Sequence, residues 1–305
     1  MLLGIEIGGT KLQLVLGGHS ARIHRRWRLT VRQDAGAAGI HEQIERTLPS
    51  LVGRRKIAAV GVGFGGPVDW RTGRIARSHQ IEGWSGFGLA AWLRRRIGAP
   101  VFVDNDANVG ALGEATRGAG AEARIVFFCT LGSGVGGGLV VDRNIFHGAS
   151  PGEVELGHLV LDRRGTLVEN RCSGWAVDRK VRRAARRYPK SLLAELVRQA
   201  PGAEAKLLVP ALRRRDALAR RILEETADDL AFGLSHVTHL LHPEVLVLGG
   251  GLAGLGEPLR RAVQGALEPR LMEVFRPGPR VCVAALGEDS IPVGALALAA
   301  QSIRS

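Results

Sequence analysis

The sequence predicts an α/β fold built from two related lobes, and three observations carry that prediction. Strand-like apolar runs alternate with helical patterns along the chain, the order that covers both faces of a sheet with helices. A strand, glycine turn and returning strand occur twice, once near residue 8 and once near residue 134. A length of 305 residues exceeds one small domain and suits one large or two medium ones.

The elements follow in order. Leu2–Ile7, the turn Gly8–Lys11 and Leu12–Leu16 read as a hairpin, with Leu29–Val31 as the next strand. Gly36–Leu51 reads as a helix, Ile57–Val62 as a buried strand running into Gly63–Gly66, and Leu89–Ile97 as a helix. Pro100–Val103 is a short strand ending in Asp104-Asn105-Asp106, and Ala107–Gly113 begins a helix. The second half repeats the theme: strand Arg124–Thr130, glycine turn Leu131–Gly138, strand Leu139–Asp142. Trp175–Val209 is helical and arginine-rich, broken at Pro189 and Pro201-Gly202. Asp216–Leu241 is the longest helical pattern, followed by strand Val245–Leu248, Gly249–Gly251, strand Val281–Ala285 and a small-residue helix over Ile291–Ser305. No low-complexity linker separates the halves, so a cleft between two closely packed lobes is the expected ligand site.

Composition excludes several classes. Hydrophobic residues make up 45% and charged residues 23%, which rules out wholesale disorder. The longest apolar stretch, Pro292–Ala300, is about half of the ~20 residues that span a bilayer. Met1 leads straight into a strand-like segment with no basic start or cleavage site, so a cytoplasmic protein without a membrane partner is expected. Cys129, Cys172 and Cys282 are too few and too scattered for a disulfide framework or a zinc clamp. The net charge of +13 invites polyanions. Its arginines, however, sit in short helical runs such as Arg94–Arg96 and Arg213–Arg215, without aromatic interleaving, so no specific nucleic-acid partner is expected.

Five motifs carry chemistry. In Gly4–Lys11 the glycines expose backbone N–H groups to an anion, and Gly8, Gly9, Thr10 and Lys11 form a candidate phosphate loop. Glu6 beside it supplies a carboxylate able to hold Mg²⁺ directly or through water. Thr130–Gly138 repeats that logic, with Thr130, Gly132, Ser133 and Gly134 as the second loop. Either turn alone serves equally as an ordinary hairpin, whereas the pair suits a phosphate clamp. Asp104–Asn108 offers a helix cap and, beyond what a cap needs, a carboxylate placed to take a proton from a substrate hydroxyl. Glu155-Leu156-Gly157-His158 and Glu169 suit hydrogen bonding to vicinal hydroxyls; with no second His or Cys at ligand spacing, they are not half of a zinc site. Gly249–Gly251 ends a strand where a flat group can lie on bare backbone, or where the chain simply turns.

The order of these motifs resembles the ROK family (repressors, open reading frames and sugar kinases), and within it the glucokinase-like members. Gly66-Pro67-Val68-Asp69, Gly83-Trp84, Gly113-Glu114, Ser173-Gly174 and Pro243–Gly251 add to the match, which runs from residue 2 to about residue 251. The resemblance implies a two-lobed ribonuclease H-like fold of the actin-like ATPase, hexokinase type. The implied lobes are 1–113 with 290–305, and 114–289. It implies ATP- and Mg²⁺-dependent phosphorylation of a hexose, glucose to glucose 6-phosphate ahead of N-acetylhexosamine, mannose or fructose, by a homodimer. By position Asp106 matches the general base. Asn105, Glu155, His158 and Glu169, with the Gly66 backbone, match the sugar-binding set. Gly249, Gly250 and Gly251 match the adenosine end.

Three departures from the family pattern stand out. The cysteines of the family's zinc motif, usually just before the glutamate matched by Glu169, are replaced by Asp162–Val168, so no zinc is expected, and a carboxylate or carbonyl must orient His158 instead. Glu6 replaces the usual Asp, moving the carboxylate out by one methylene. Gln80 replaces the usual Asn, which bears on sugar preference. Two alternatives accompany the kinase reading: a sugar-binding homologue without catalysis, and a sugar-responsive regulator, although the phosphate hairpin starts at residue 4 and leaves no room for a repressor's N-terminal DNA-binding domain. Polyphosphate is the alternative donor.

Overall fold

The structure, a computed structural model, describes residues 1–53, 55–76, 82–150, 152 and 154–303; Gln80 lies outside them. The chain divides into two compact units. One comprises Met1–Arg124, Gly138–Val154 and Ala285–Ser305, and the other Ile125–Gly137 and Glu155–Ala284. These ranges differ from those the family resemblance implies. The helix begun at Asp106 runs past residue 113, and Gly138–Val154 is held to the start of that same helix by side chains described below.

In the first unit β1 (Leu2–Ile7) and β2 (Lys11–Gly17) form the expected hairpin. There follow β3 (Ile23–Thr30), α1 (Gly36–Val52), β4 (Ala59–Phe64), the short pair β5 (Val68–Asp69) and β6 (Arg74–Ile75), α2 (Leu89–Ile97), β7 (Val101–Asn105) and α3 (Asp106–Arg117). The sheet order is β3-β2-β1-β4-β7. β2 is antiparallel to β1 and β3, while β4 is parallel to β1 and β7. Every residue of β1 and β4 is buried, as in strands covered on both faces. β3 is longer than expected. Arg25, Arg26 and Arg28 interrupt its apolar alternation and hide the strand, and on the edge of the sheet such charges discourage pairing with another chain.

The second half begins with β8 (Ile125–Leu131) and β9 (Val135–Val141), with β10 (Asn144–Ile145) pairing back on β9. Helices α4 (Val168–Cys172), α5 (Gly174–Arg187), α6 (Leu192–Gln199), α7 (Leu208–Arg213) and α8 (Ala217–Leu241) precede β11 (Val245–Gly249), α9 (Glu257–Leu267) and β12 (Arg280–Val283). The second sheet runs β10-β9-β8-β11-β12, with β11 parallel to β8 and β12. The chain ends in α10 (Ser290–Gln301), which packs on α3, β1 and β4. This packing explains its small residues. A Cβ on Gly294 would fall on the Val109 carbonyl oxygen of α3, and one on Gly61 of β4 would fall on the Ala295 carbonyl oxygen.

Glu114, fully buried on α3, pins the approach to α10. Its carboxylate accepts hydrogen bonds from Ala119 N (2.8 Å), Ala285 N (3.1 Å), Leu286 N (3.0 Å) and Ser290 Oγ (2.7 Å). Among the described residues, no helix is long and apolar enough to cross a membrane.

Candidate active site

The first unit gathers Glu6, Gly8–Lys11, Gly66, Asn105 and Asp106. Gly8 N donates to Lys11 O (2.9 Å) and closes the hairpin turn, and Gly65 N donates to Ile7 O (2.8 Å), bringing the end of β4 beside it. Glu6 stands directly opposite Gln13, and Gln13 opposite Arg28. The side chains follow the same ladder: Gln13 Nε2 donates to Glu6 Oε2 (2.7 Å) and Arg28 Nε to Gln13 Oε1 (3.0 Å). The Lys11 ammonium lies 3.3 Å from Glu6 Oε1. Burial pushes the Glu6 carboxyl above its ordinary range, with Lys11 and Gln13 opposing that shift. A buried carboxylate at a phosphate hairpin fits Mg²⁺, which takes one or two carboxylates and fills its other positions with phosphate and water. Gln13 and Lys11 already engage both Glu6 oxygens, so contact through water fits best.

Asp106 is the first residue of α3. Asn105 caps the helix, its Oδ1 accepting from Ala107 N (2.8 Å) and Asn108 N (3.4 Å), while its Nδ2 donates to Gly66 O (3.2 Å). The Asp106 carboxylate and the start of the hairpin both approach Gly65. A Cβ placed on Gly65 would be 3.3 Å from Asp106 Oδ2, 3.4 Å from Ile7 O and 3.6 Å from Gly8 Cα. Asn105, Asp106, Gly66 and the first phosphate loop are therefore one local assembly.

The second unit gathers Thr130–Gly134, Glu155, His158 and Glu169. Gly132 N donates to Gly134 O (2.9 Å), and Gly174 N to Gly132 O (2.7 Å). Ser173 caps α5 by accepting from Ala176 N (3.2 Å), so the positive end of the α5 dipole faces the loop. Glu169 Oε2 accepts from Val135 N (2.9 Å) and so braces the loop from α4. Glu155 and His158, both exposed, flank a single turn whose Gly157 sits on the Val135 carbonyl.

A cavity of about 390 Å³ opens beside this loop, lined by Gly132, Ser133, Trp175, Asp178, Lys206 and Gly251 among others. Trp175 stands 63% exposed at it, and Asp178 Oδ1 accepts from Ala205 N (2.6 Å) to hold the facing wall. Gly132 and Gly251 have open space where a Cβ would be, which leaves bare backbone facing a ligand. Gly249 and Gly250 do not line it. A Cβ on Gly249 would enter the Phe128 ring, and Gly250 adopts a positive φ against the Leu131 backbone, so both serve packing and the turn. Trp175, Asp178 and Lys206 escape a motif reading; the only local signal is the Ser173-Gly174 helix start just before the tryptophan.

The ROK family model matches residues 2–302. The chain belongs to the ROK family. It is 30% identical to a glucokinase of Halalkalibacterium halodurans, covering 96% of this chain and 92% of that one. A glucokinase of Thermotoga maritima is 29% identical, over 99% of this chain and 98% of the relative. Among solved structures, a ROK family glucokinase from Streptomyces griseus in complex with glucose and AMPPNP superposes with a TM-score of 0.86 at 28% identity, covering 98% of this chain and 99% of that one. The fold is thus the hexokinase-type fold of the ROK glucokinases.

In this ROK chain the stretch before Glu169 is a self-closed turn. Leu161 N donates to Thr166 O (2.7 Å), and Asp162 Oδ1 accepts from Arg164 N (2.8 Å) and Thr166 N (3.2 Å). Among the described residues no three His, Cys, Asp or Glu side chains gather as a metal site, and a structural zinc ion does not fit this donor set. The expected brace on His158 is also missing: its imidazole has no hydrogen-bond partner among the described residues.

Proposed function

We propose that this chain phosphorylates a hexose, glucose first, with ATP as donor and Asp106 as general base. The observation that carries the reading is the Asp106 carboxylate at the N-terminus of α3, which meets the start of the Gly8–Lys11 hairpin at Gly65. A proton acceptor there meets a sugar hydroxyl where backbone N–H groups meet a phosphate. The similarity to a glucokinase that binds glucose and AMPPNP supports the same pairing of ligands.

In this mechanism the sugar oxygen attacks the γ-phosphorus and forms the new O–P bond. The bond from the γ-phosphorus to the β,γ-bridging oxygen breaks, ADP leaves, and the hydroxyl proton passes to Asp106. Asn105 holds the helix end and, through Nδ2, the Gly66 carbonyl, which fixes one wall of the sugar position. Lys11 and the hairpin amides carry charge toward the phosphates. Glu6 would hold Mg²⁺, which when bound offsets phosphate charge. In the second unit, Trp175 and the bare backbone at Gly132 and Gly251 suit the adenosine, while Glu155, His158 and Glu169 suit sugar hydroxyls.

The test is ADP release with ATP and Mg²⁺ across glucose, mannose, fructose and N-acetylglucosamine, with polyphosphate as the alternative donor. Glucose is expected to give the fastest sugar-dependent release, and Asp106→Asn to lower it by about 10²–10⁴-fold while sparing glucose binding. Near-normal turnover in Asp106→Asn would remove the base assignment. Glucose binding without turnover from either donor would leave a sugar-binding protein.

A further inference from the structure

One polar cluster of the first unit lies outside the ligand-contacting set. Asp104, at the end of β7, is 2% exposed and ionisable. Its Oδ1 accepts from Asn105 N (2.8 Å) and Asn108 Nδ2 (3.0 Å). Its Oδ2 lies 2.6 Å from His147 Nε2. The His147 ring is stacked on Trp70, with centroids 4.1 Å apart and planes 11° apart. Asn108 Nδ2 also donates to Gly152 O (3.3 Å). Both neighbours of that amide nitrogen are acceptors, so the amide orientation is determined.

We infer that His147 is a positioning residue for Asp106, acting through Asp104. The inference rests on the reading of Asp106 as the base. With Asp104 as the acceptor, His147 donates through Nε2–H. Stacking on Trp70 sets the ring plane, and the ring sets the Asp104 rotamer. Asp104 in turn holds the backbone N–H of Asn105, just before Asp106, and the side chain of Asn108, two residues after it. The turn that aims the base is thus clamped from a segment 43 residues away in sequence. Without His147, Oδ2 stays buried without a donor. The carboxylate then rotates to find one and releases Asn105 N. A displacement of about 1 Å in a reacting group is enough to slow a reaction by up to about 10²-fold.

The test compares wild type, His147→Ala and His147→Gln for kcat, KM for glucose, KM for ATP and thermal midpoint. The glutamine Nε2 amide donates from nearly the place of the imidazole Nε2, so it is the conservative variant. We expect His147→Ala to lower kcat about tenfold with KM for ATP unchanged, and His147→Gln to recover most of it. A downfield imidazole N–H resonance in slow exchange, lost in His147→Ala and in Asp104→Asn, reads the hydrogen bond without reference to turnover. Unchanged kcat in His147→Ala, with or without a lower thermal midpoint, would overturn the inference and leave the kinase reading standing. So would equal losses in the Ala and Gln variants. Absence of sugar-dependent turnover in the wild type would instead bring down the base assignment, and this inference with it.

Discussion

Gly134→Ala tests whether Glu169 serves the second glycine loop and the sugar together. A Cβ on Gly134 would collide with Glu169 Oε2, with Cδ 3.3 Å away. Gly134 does not have a positive φ, so the backbone tolerates alanine and the side chain must give way. That oxygen accepts from Val135 N at 2.9 Å. A retreat of about 1 Å takes it out of hydrogen-bond range. The Val135 N–H then loses a charged acceptor, a loss of about 1.5–3 kcal/mol. If Glu169 also binds a sugar hydroxyl, moving it weakens glucose binding by about 10–30-fold, on a scale where tenfold is about 1.4 kcal/mol. Glucose affinity by calorimetry and thermal midpoints, for Gly134→Ala, Glu169→Ala and the double variant, form the assay. We expect Gly134→Ala to have little further effect once Glu169 is gone, giving a coupling of about 1–2 kcal/mol. Effects that add within about 0.5 kcal/mol would refute the reasoning.

Two further outcomes follow from buried carboxylates. Glu114→Ala strands three backbone N–H groups at Ala119, Ala285 and Leu286; we expect a loss of about 4 kcal/mol and a fall in midpoint of roughly 6 °C, and a loss under about 1 kcal/mol in urea unfolding would show the network to be dispensable. Burial raises the Glu6 carboxyl, so the folded state holds its proton more tightly than the unfolded state does, and Glu6 takes stability away as pH climbs from the ordinary value of 4.5 through the raised one. The stability of wild type relative to Glu6→Gln should therefore decline between pH 4 and 8, and a flat or rising difference in urea titrations would contradict the burial argument.

Much of this molecule is legible in its sequence, for local reasons. A hairpin around Gly8–Gly9, a strand ending at Asp104–Asp106 and a second glycine loop at 131–138 are each specified by a few adjacent residues. Their physics is short-range: β-turn geometry, capping by Asn105, backbone left bare by glycine. β3 escapes because three arginines break its alternation, and an edge strand needs apolar residues on one face only. The second domain boundary escapes because Gly138–Val154 joins the first unit through His147 and Gly152, whose partners Asp104 and Asn108 lie over forty residues away.

The site divides along the same line. The residues proposed to contact phosphate or accept a proton sit in motifs, because such chemistry demands particular neighbours. Residues that hold those residues still carry no such demand. Gln13 is a plain strand residue until β1 and β3 place Glu6 and Arg28 on either side of it. Trp175 reads as one more apolar residue at a helix start until the loop around Ala203 builds a cavity beside it. The self-closed turn at 161–166 makes the same point in reverse. Loss of the family's cysteines is visible at once, but the replacement is a single Asp162 oxygen accepting from two backbone N–H groups. The backbone pairing continues through the Val160–Leu167 bridge and the Val168 N to Leu159 O hydrogen bond (2.9 Å), so it ties the chain beside His158 without giving the ring a partner. It therefore leaves the His158 ring to be oriented by what binds there. On the proposed reading of His158 as a sugar ligand, a ring set by its ligand rather than by a fixed partner loses freedom on binding, and sugar affinity carries that entropy.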